Sequence, residues 1–155
     1  MSAFRVNLIA VNPVEPERQT PPVQVLVDTG SELSWLPADL LAQAGITPRK
    51  KLSFQTATNE TVERDIGYAI LRVDGHEAID HIVFAQPGDM SLLGVRTIEG
   101  FGVTVDPIGH RFLATPILVA ATENGYPNGT QRKGAESAKN RGAGQIGSER
   151  STPRR

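Results

Sequence analysis

Apolar and polar residues alternate from the first strand-length stretch onward. Phe4, Val6, Leu8 and Ala10 fall on one side of a period of two, with Arg5, Asn7, Ile9 and Val11 on the other, which predicts a strand. Pro13, Pro16, Pro21 and Pro22 then mark a turn-rich connection. Residues 23–27 are a nearly continuous apolar run, the pattern expected of a strand buried on both faces. That run stops abruptly at Asp28-Thr29-Gly30-Ser31. Residues 32–36 read as a further short strand, and Pro37 and Gly45 bracket a brief helix over 38–44. Residues 52–58 and 61–73 read as the arms of a hairpin turning at Asn59-Glu60, because Asn tolerates the left-handed conformation a two-residue turn needs. A second turn at Asp74-Gly75 leads into a strand over 78–84. Leu92-Leu93-Gly94 precedes a short helix over 95–101, which Gly102 caps. Residues 103–105 and 111–114 flank a turn containing Pro107 and Gly109. About eight short strands and two short helices make a mostly β domain over residues 1–119, ending near Leu118.

Composition changes after that point. Gly, Asn, Ser, Lys and Arg dominate residues 120–155, which predicts a disordered basic tail unable to bury enough surface to offset its ordering entropy. Charge divides in the same place. The net charge of −1 conceals 9 Lys and Arg against 14 Asp and Glu in residues 1–119, and 7 against 3 beyond them. The folded part is thus acidic, with no basic patch interleaved with aromatics, which disfavours nucleic-acid binding. Aromatic residues are only 5% of the chain, so Val, Ile, Leu and Ala must build the core. The absence of cysteine excludes disulfides, thiolate catalysis and Cys-based metal sites. Arg5 and Asn7 interrupt the apolar stretch near the N-terminus, so no signal peptide is read there. No stretch approaches the roughly 20 apolar residues of a membrane span. A cytoplasmic protein without membrane contact is the expectation.

The candidate chemistry sits at Asp28-Thr29-Gly30. Such a triplet alone is a weak signal, since all three residue types favour turns. Its context is more specific: Val25-Leu26-Val27 delivers the carboxylate at the end of an apolar strand, where a solvated turn seldom lies. Gly30 would let backbone and ligand approach closely.

These residues resemble the retropepsins, the single-domain aspartic proteases of retroviruses and their cellular and bacterial relatives. Three features carry the likeness, in the family's order, across residues 4–115. They are the apolar strand entering Asp28-Thr29-Gly30-Ser31, the hairpin at Asn59-Glu60 in the place of the family's flap, and Leu92-Leu93-Gly94 with the helix to Gly102. The stretch from Leu92 to Asp106 is most like bacterial members. Departures are visible too. The hairpin tip lacks the family's usual glycines, Val95 separates Gly94 from Arg96, and Ser31 stands where Ala is common.

The resemblance implies a closed β-barrel half-enzyme with Asp28 as its catalytic carboxylate. Two carboxylates about 3 Å apart cannot both ionise, so one can act as base on water while the other donates a proton. The chain holds one Asp-Thr-Gly, so a homodimer would supply the second Asp28. Thr29, Gly30, Ser31, Leu93 and Gly94 would support the active-site loop. Glu32, Thr58, Asn59 and Glu60 would touch a peptide or protein substrate. No cofactor or metal is implied. An inactive peptide-binding module and a pure dimerisation domain remain alternatives to an aspartic endopeptidase.

Other residues change little. His76 and His81 lie five apart in a predicted strand region and so point to opposite faces, which disfavours a shared metal. Trp35 reads equally as a substrate subsite or as core. Ser31 has no His partner nearby for serine-type hydrolysis.

Overall fold

A computed structural model describes residues 4–116. Nine strands and two helices are formed among them: β1 (Arg5–Val11), β2 (Val23–Val27), β3 (Ser34–Pro37), α1 (Ala38–Gln43), β4 (Lys50–Gln55), β5 (Thr61–Val73), β6 (His76–Ala85), β7 (Leu92–Leu93), α2 (Val95–Gly100), β8 (Val103–Asp106) and β9 (Arg111–Ala114). The mostly β class matches expectation. The strand that raises the count is β7, two residues long, too short for periodicity to register. The expected domain end near Leu118 and the expected tail lie outside the described residues.

Seven strands form one sheet in the order β1-β2-β7-β3-β6-β5-β4, and β1 also pairs with β5. That extra pairing closes six of the strands into a ring and leaves β4 outside it. The 13-residue β5 makes this possible: its N-terminal half pairs with β4, while Ile70, Leu71 and Arg72 face Val11, Ala10 and Ile9 of β1. Strands β8 and β9 form a separate two-stranded ribbon.

The ring is filled by aliphatic residues, as the scarcity of aromatics requires. Leu8, Leu36, Leu41, Leu71, Ile82 and Leu93 are all fully buried in one cluster, each contributing roughly 1.5–3 kcal/mol by leaving water. A smaller cluster of Leu33, Ile66 and Val83 lies apart, with Trp35, Leu52 and Phe54 packed on it. Expectation needs one correction here. In β2 only Val25 and Val27 are buried; Leu26 is half-buried and Gln24 exposed, so the strand is covered on one face rather than two. A continuous apolar run does not distinguish these cases.

The turns follow their residue chemistry. Asp74 and Gly75 both have positive φ, 45° and 87°, as a two-residue turn with right-handed strand twist demands. The β4–β5 connection differs from the two-residue turn expected at Asn59-Glu60. Asn59 N–H donates to Thr56 O at 2.9 Å, and Thr56 N–H to Glu60 O at 2.8 Å. The loop is therefore the three residues Ala57, Thr58 and Asn59, with Asn59 left-handed at φ 69°. Glu60 precedes the return strand, its amide donating to Thr56 Oγ1 at 3.1 Å.

Candidate active site

Two short segments, 28–34 and 91–97, cross beside each other where β2, β3 and β7 meet. Strand β2 runs parallel to β7, with Leu26 and Val27 opposite Leu92 and Leu93. Strand β3 lies antiparallel on the other side of β7, pairing Trp35 with Leu92. Asp28 leaves β2 at this crossing. Its amide donates to Leu93 O at 3.0 Å, its carbonyl accepts from Ser31 N–H at 3.1 Å, and its Oδ1 accepts from Gly30 N–H at 2.9 Å. The carboxylate is thus fixed by its own turn. Asp28 and Ser31 are half-buried, while Thr29 and Gly30 are exposed on the outer surface of that turn.

Gly94 shows why this crossing needs glycine. A Cβ there would lie 2.4 Å from Leu33 O and 2.5 Å from Leu33 C. Any side chain would push the two segments apart. Beyond it, Val95 N–H donates to Ser31 O at 2.8 Å and Arg96 N–H to Glu32 O at 3.1 Å, so the first turn of α2 grips the loop that follows Asp28. Ser31 Oγ is turned inward to Leu33 O at 2.8 Å.

Asp28 opens onto a groove of roughly 980 Å³. Gly30, Ser31, Glu32 and Leu33 line one side of it, and Leu52, Phe54, Thr56, Ala57 and Val62 of the β4–β5 hairpin line another. Trp35 lines the groove and packs on Phe54 with ring centroids 5.0 Å apart. Leu93 and Gly94 are buried. Thr58, Asn59 and Glu60 are exposed at the hairpin tip and do not line the groove, whereas Thr56 and Ala57 do.

Sequence reasoning did not single out the polar residues that brace this groove. Arg64 of β5 and Asp89 of the β6–β7 loop form a bidentate pair, Nε to Oδ2 at 2.7 Å and Nη2 to Oδ1 at 2.9 Å. Both side chains are only 18% exposed, which places the pair among the less screened ion pairs. The Arg64 guanidinium holds the Asp89 carboxyl below its ordinary value, against the opposing effect of burial, and Gln86 N–H adds to the lowering. Asp89 in turn raises Arg64. Ser34, Thr97 and Asp80 form a second polar cluster behind the groove wall. The available signal was Ser34, a hydroxyl set between Leu33 and Trp35 in an otherwise apolar strand. His76 and His81 serve different surroundings, as their spacing implied: His76 stacks on Phe101, and His81 lies tilted against Tyr68 at 49°. Among the described residues no group of three or more His, Asp or Glu is placed to hold a metal ion. No described helix is long and apolar enough to cross a membrane.

The sequence profile of the aspartyl protease family matches residues 14–97, which include Asp28, the hairpin and Leu92-Leu93-Gly94. The match spans more than half of the chain, and the chain belongs to the aspartyl protease family. Comparison with curated proteins finds no match. Among solved structures, similarity extends to the simian foamy virus (mac) protease at 14% identity and a TM-score of 0.43, covering 62% of this chain and 92% of that one. It also extends to a retropepsin-like aspartic protease from Rickettsia conorii at 19% identity and a TM-score of 0.39, covering 67% and 84%. At such identities and scores the assignment rests on the family match.

Proposed function

We propose that this chain is one half of a retropepsin-type aspartic endopeptidase, and that two copies pair about a two-fold axis to bring two Asp28 carboxylates together. The observation that carries this reading is the presentation of Asp28. Its carboxylate is fixed at a strand end by the turn of which Thr29 and Gly30 form the exposed surface, and it faces a groove. One such triplet occurs in the chain. Hydrolysis with a shared proton needs two carboxylates, and a two-fold interface supplies the second from an identical surface. Exposed Thr29 and Gly30 suit that interface, where each Thr29 can hydrogen-bond across the axis.

In this mechanism a water molecule lies between the two carboxylates. The ionised one takes a proton from the water as its oxygen bonds to the peptide carbonyl carbon. The protonated one gives its proton to the carbonyl oxygen, forming a neutral tetrahedral intermediate. Transfer of a proton to the amide nitrogen then lets the C–N bond break, releasing an acid and an amine. The peptide lies extended in the groove, with backbone hydrogen bonds giving affinity and alternate side chains entering pockets. The Trp35, Leu52 and Phe54 wall favours an apolar side chain, since burying one there removes area on both partners from water. No cofactor takes part.

A cleavage assay on a peptide library, with an aspartic-protease inhibitor as control, tests the reading. Inhibitor-sensitive turnover by the wild type and its loss in Asp28→Asn are expected, because the amide is isosteric but cannot exchange the proton. Peptide binding without turnover would make the chain a non-catalytic binding module instead.

A further inference from the structure

Asp28 is held by a peptide unit whose other end is also occupied. The planar Leu93–Gly94 amide carries two groups, the Leu93 carbonyl and the Gly94 N–H, pointing in opposite directions in one rigid plane. The carbonyl accepts from Asp28 N–H at 3.0 Å. The N–H donates to Ser34 Oγ at 2.9 Å. Fixing Ser34 therefore fixes the plane, and the plane sets the height and tilt at which Asp28 is presented.

Ser34 is itself the middle of a chain. Its Oγ is 2.7 Å from Thr97 Oγ1, and Thr97 Oγ1 donates to Asp80 Oδ2 at 2.9 Å. Ser34 and Thr97 are fully buried and the Asp80 side chain is 8% exposed. Either hydroxyl of the Ser34–Thr97 pair could donate on geometry alone, but the carboxylate decides it. A carboxylate only accepts, so the Thr97 hydrogen points at Asp80. Thr97 Oγ1 must then accept from Ser34, and Ser34 Oγ is left to accept from Gly94. One direction runs through all four groups, and Asp80 sets it.

We propose that Asp80 is a positioning residue for the Asp28 site, acting through Thr97, Ser34 and the Leu93–Gly94 peptide plane. The inference rests on the proteolytic reading for its effect on rate, though not for its effect on structure. Asp80 suits the role because each of its oxygens already has a donor. Oδ2 takes Thr97 and Oδ1 takes His81 N–H at 2.7 Å, while the Arg96 guanidinium is 3.7 Å from Oδ1. An asparagine has one acceptor for these two donors, so one of them would meet an NH2 group. The polarity of the chain would be lost without a change of side-chain size.

The test compares Thr97→Val with Thr97→Ser. Val keeps the shape of Thr without the hydroxyl, whereas Ser keeps the hydroxyl and loses one methyl group. Activity is measured per active site, titrated with a tight-binding transition-state mimic, on a peptide the wild type cleaves. Thr97→Val should lower kcat about tenfold or more with KM within about twofold, since small misplacements of reacting groups cost rate more than binding. Thr97→Ser should stay within about twofold of wild type in both. Amide hydrogen exchange supplies a second readout that needs no turnover. Gly94 and Asp28 amides should exchange at least about tenfold faster in Thr97→Val, with the β1–β2 amides unchanged. If Thr97→Val does not fold, Asp80→Asn, at the edge of the core, takes its place with the same expectations. Unchanged kcat, unchanged Gly94 protection, or an equal loss in Thr97→Ser would overturn the proposal. A wild type that cleaves no peptide would defeat the proteolytic reading, and Gly94 exchange would still decide the positioning chain.

Discussion

Gly94 passes so close to Leu33 that a Cβ on it would lie 2.4 Å from the Leu33 carbonyl oxygen. Two segments far apart in sequence meet there as bare backbone. The contact sits directly beneath the Asp28 turn, so spacing at this crossing controls the site.

Gly94→Ala is therefore expected to be severe. The neighbouring atoms are backbone and cannot rotate away, so the methyl group must displace a strand. Overpacking of this kind costs about 1–3 kcal/mol, and rigid backbone puts this case at the upper end. Chemical denaturation measures the loss. Gly88→Ala is the control, because no atom lies within 4 Å of its Cβ position and only the positive φ of 97° is strained. Equal effects of the two substitutions would deny the crossing its special role.

Acid should weaken the molecule in part through Asp89. Its carboxyl in the folded state lies below the ordinary value of 3.8, chiefly because Arg64 donates to it. The folded protein thus holds this proton less readily than the unfolded chain. The pair's contribution is full well above 3.8 and is lost as pH falls through the depressed folded value. Asp89→Asn should cost about 1–3 kcal/mol at neutral pH, and the deficit should shrink as pH drops below about 4. Urea denaturation of both proteins across that range gives the comparison. Parallel stability curves would show that the pair does not titrate as described.

Asn59 holds the hairpin loop in a left-handed conformation that a β-branched residue resists. Asn59→Val should cost the loop about 1–2 kcal/mol, whereas Asn59→Gly keeps the geometry. Because the tip is exposed, the effect should appear in local motion rather than in the global unfolding midpoint. Backbone relaxation over residues 57–62 should show more mobility in the Val variant and quenching by a transition-state mimic in the wild type, as expected of a lid. A tip equally rigid in all three states would argue against closure over substrate.

Much of the scaffold was legible in sequence because it depends on local rules. Alternation located β1 and the hairpin arms, Asp74-Gly75 located its turn, and Pro37 and Gly45 framed α1. The Asp28 turn stood out as a polar break at the end of an apolar strand. What escaped depends on contacts between distant segments. Closure of the ring needs β5 to reach β1, and no short pattern encodes that pairing. Arg64 and Asp89 lie 25 residues apart and each alone reads as a surface charge. Thr97 and Asp80 look like solvent-facing residues until α2 folds against β6 and buries them. The hairpin loop spans 57–59 rather than the expected 59–60, because Asn59 suits both a two-residue turn and the left-handed end of a three-residue loop.

The shared site is tested most directly by mixing subunits. Wild-type and Asp28→Asn chains are denatured together, refolded, and shown by mass-tagging to have exchanged. Random pairing at equal proportions leaves about a quarter of dimers with two Asp28 carboxylates. If only those dimers cleave, total activity follows the square of the wild-type fraction, and activity per wild-type chain falls to about half at equal mixing. That curve is the predicted result. Total activity rising in a straight line with the wild-type fraction would mean that each chain works alone, and would contradict a site built from two copies of Asp28.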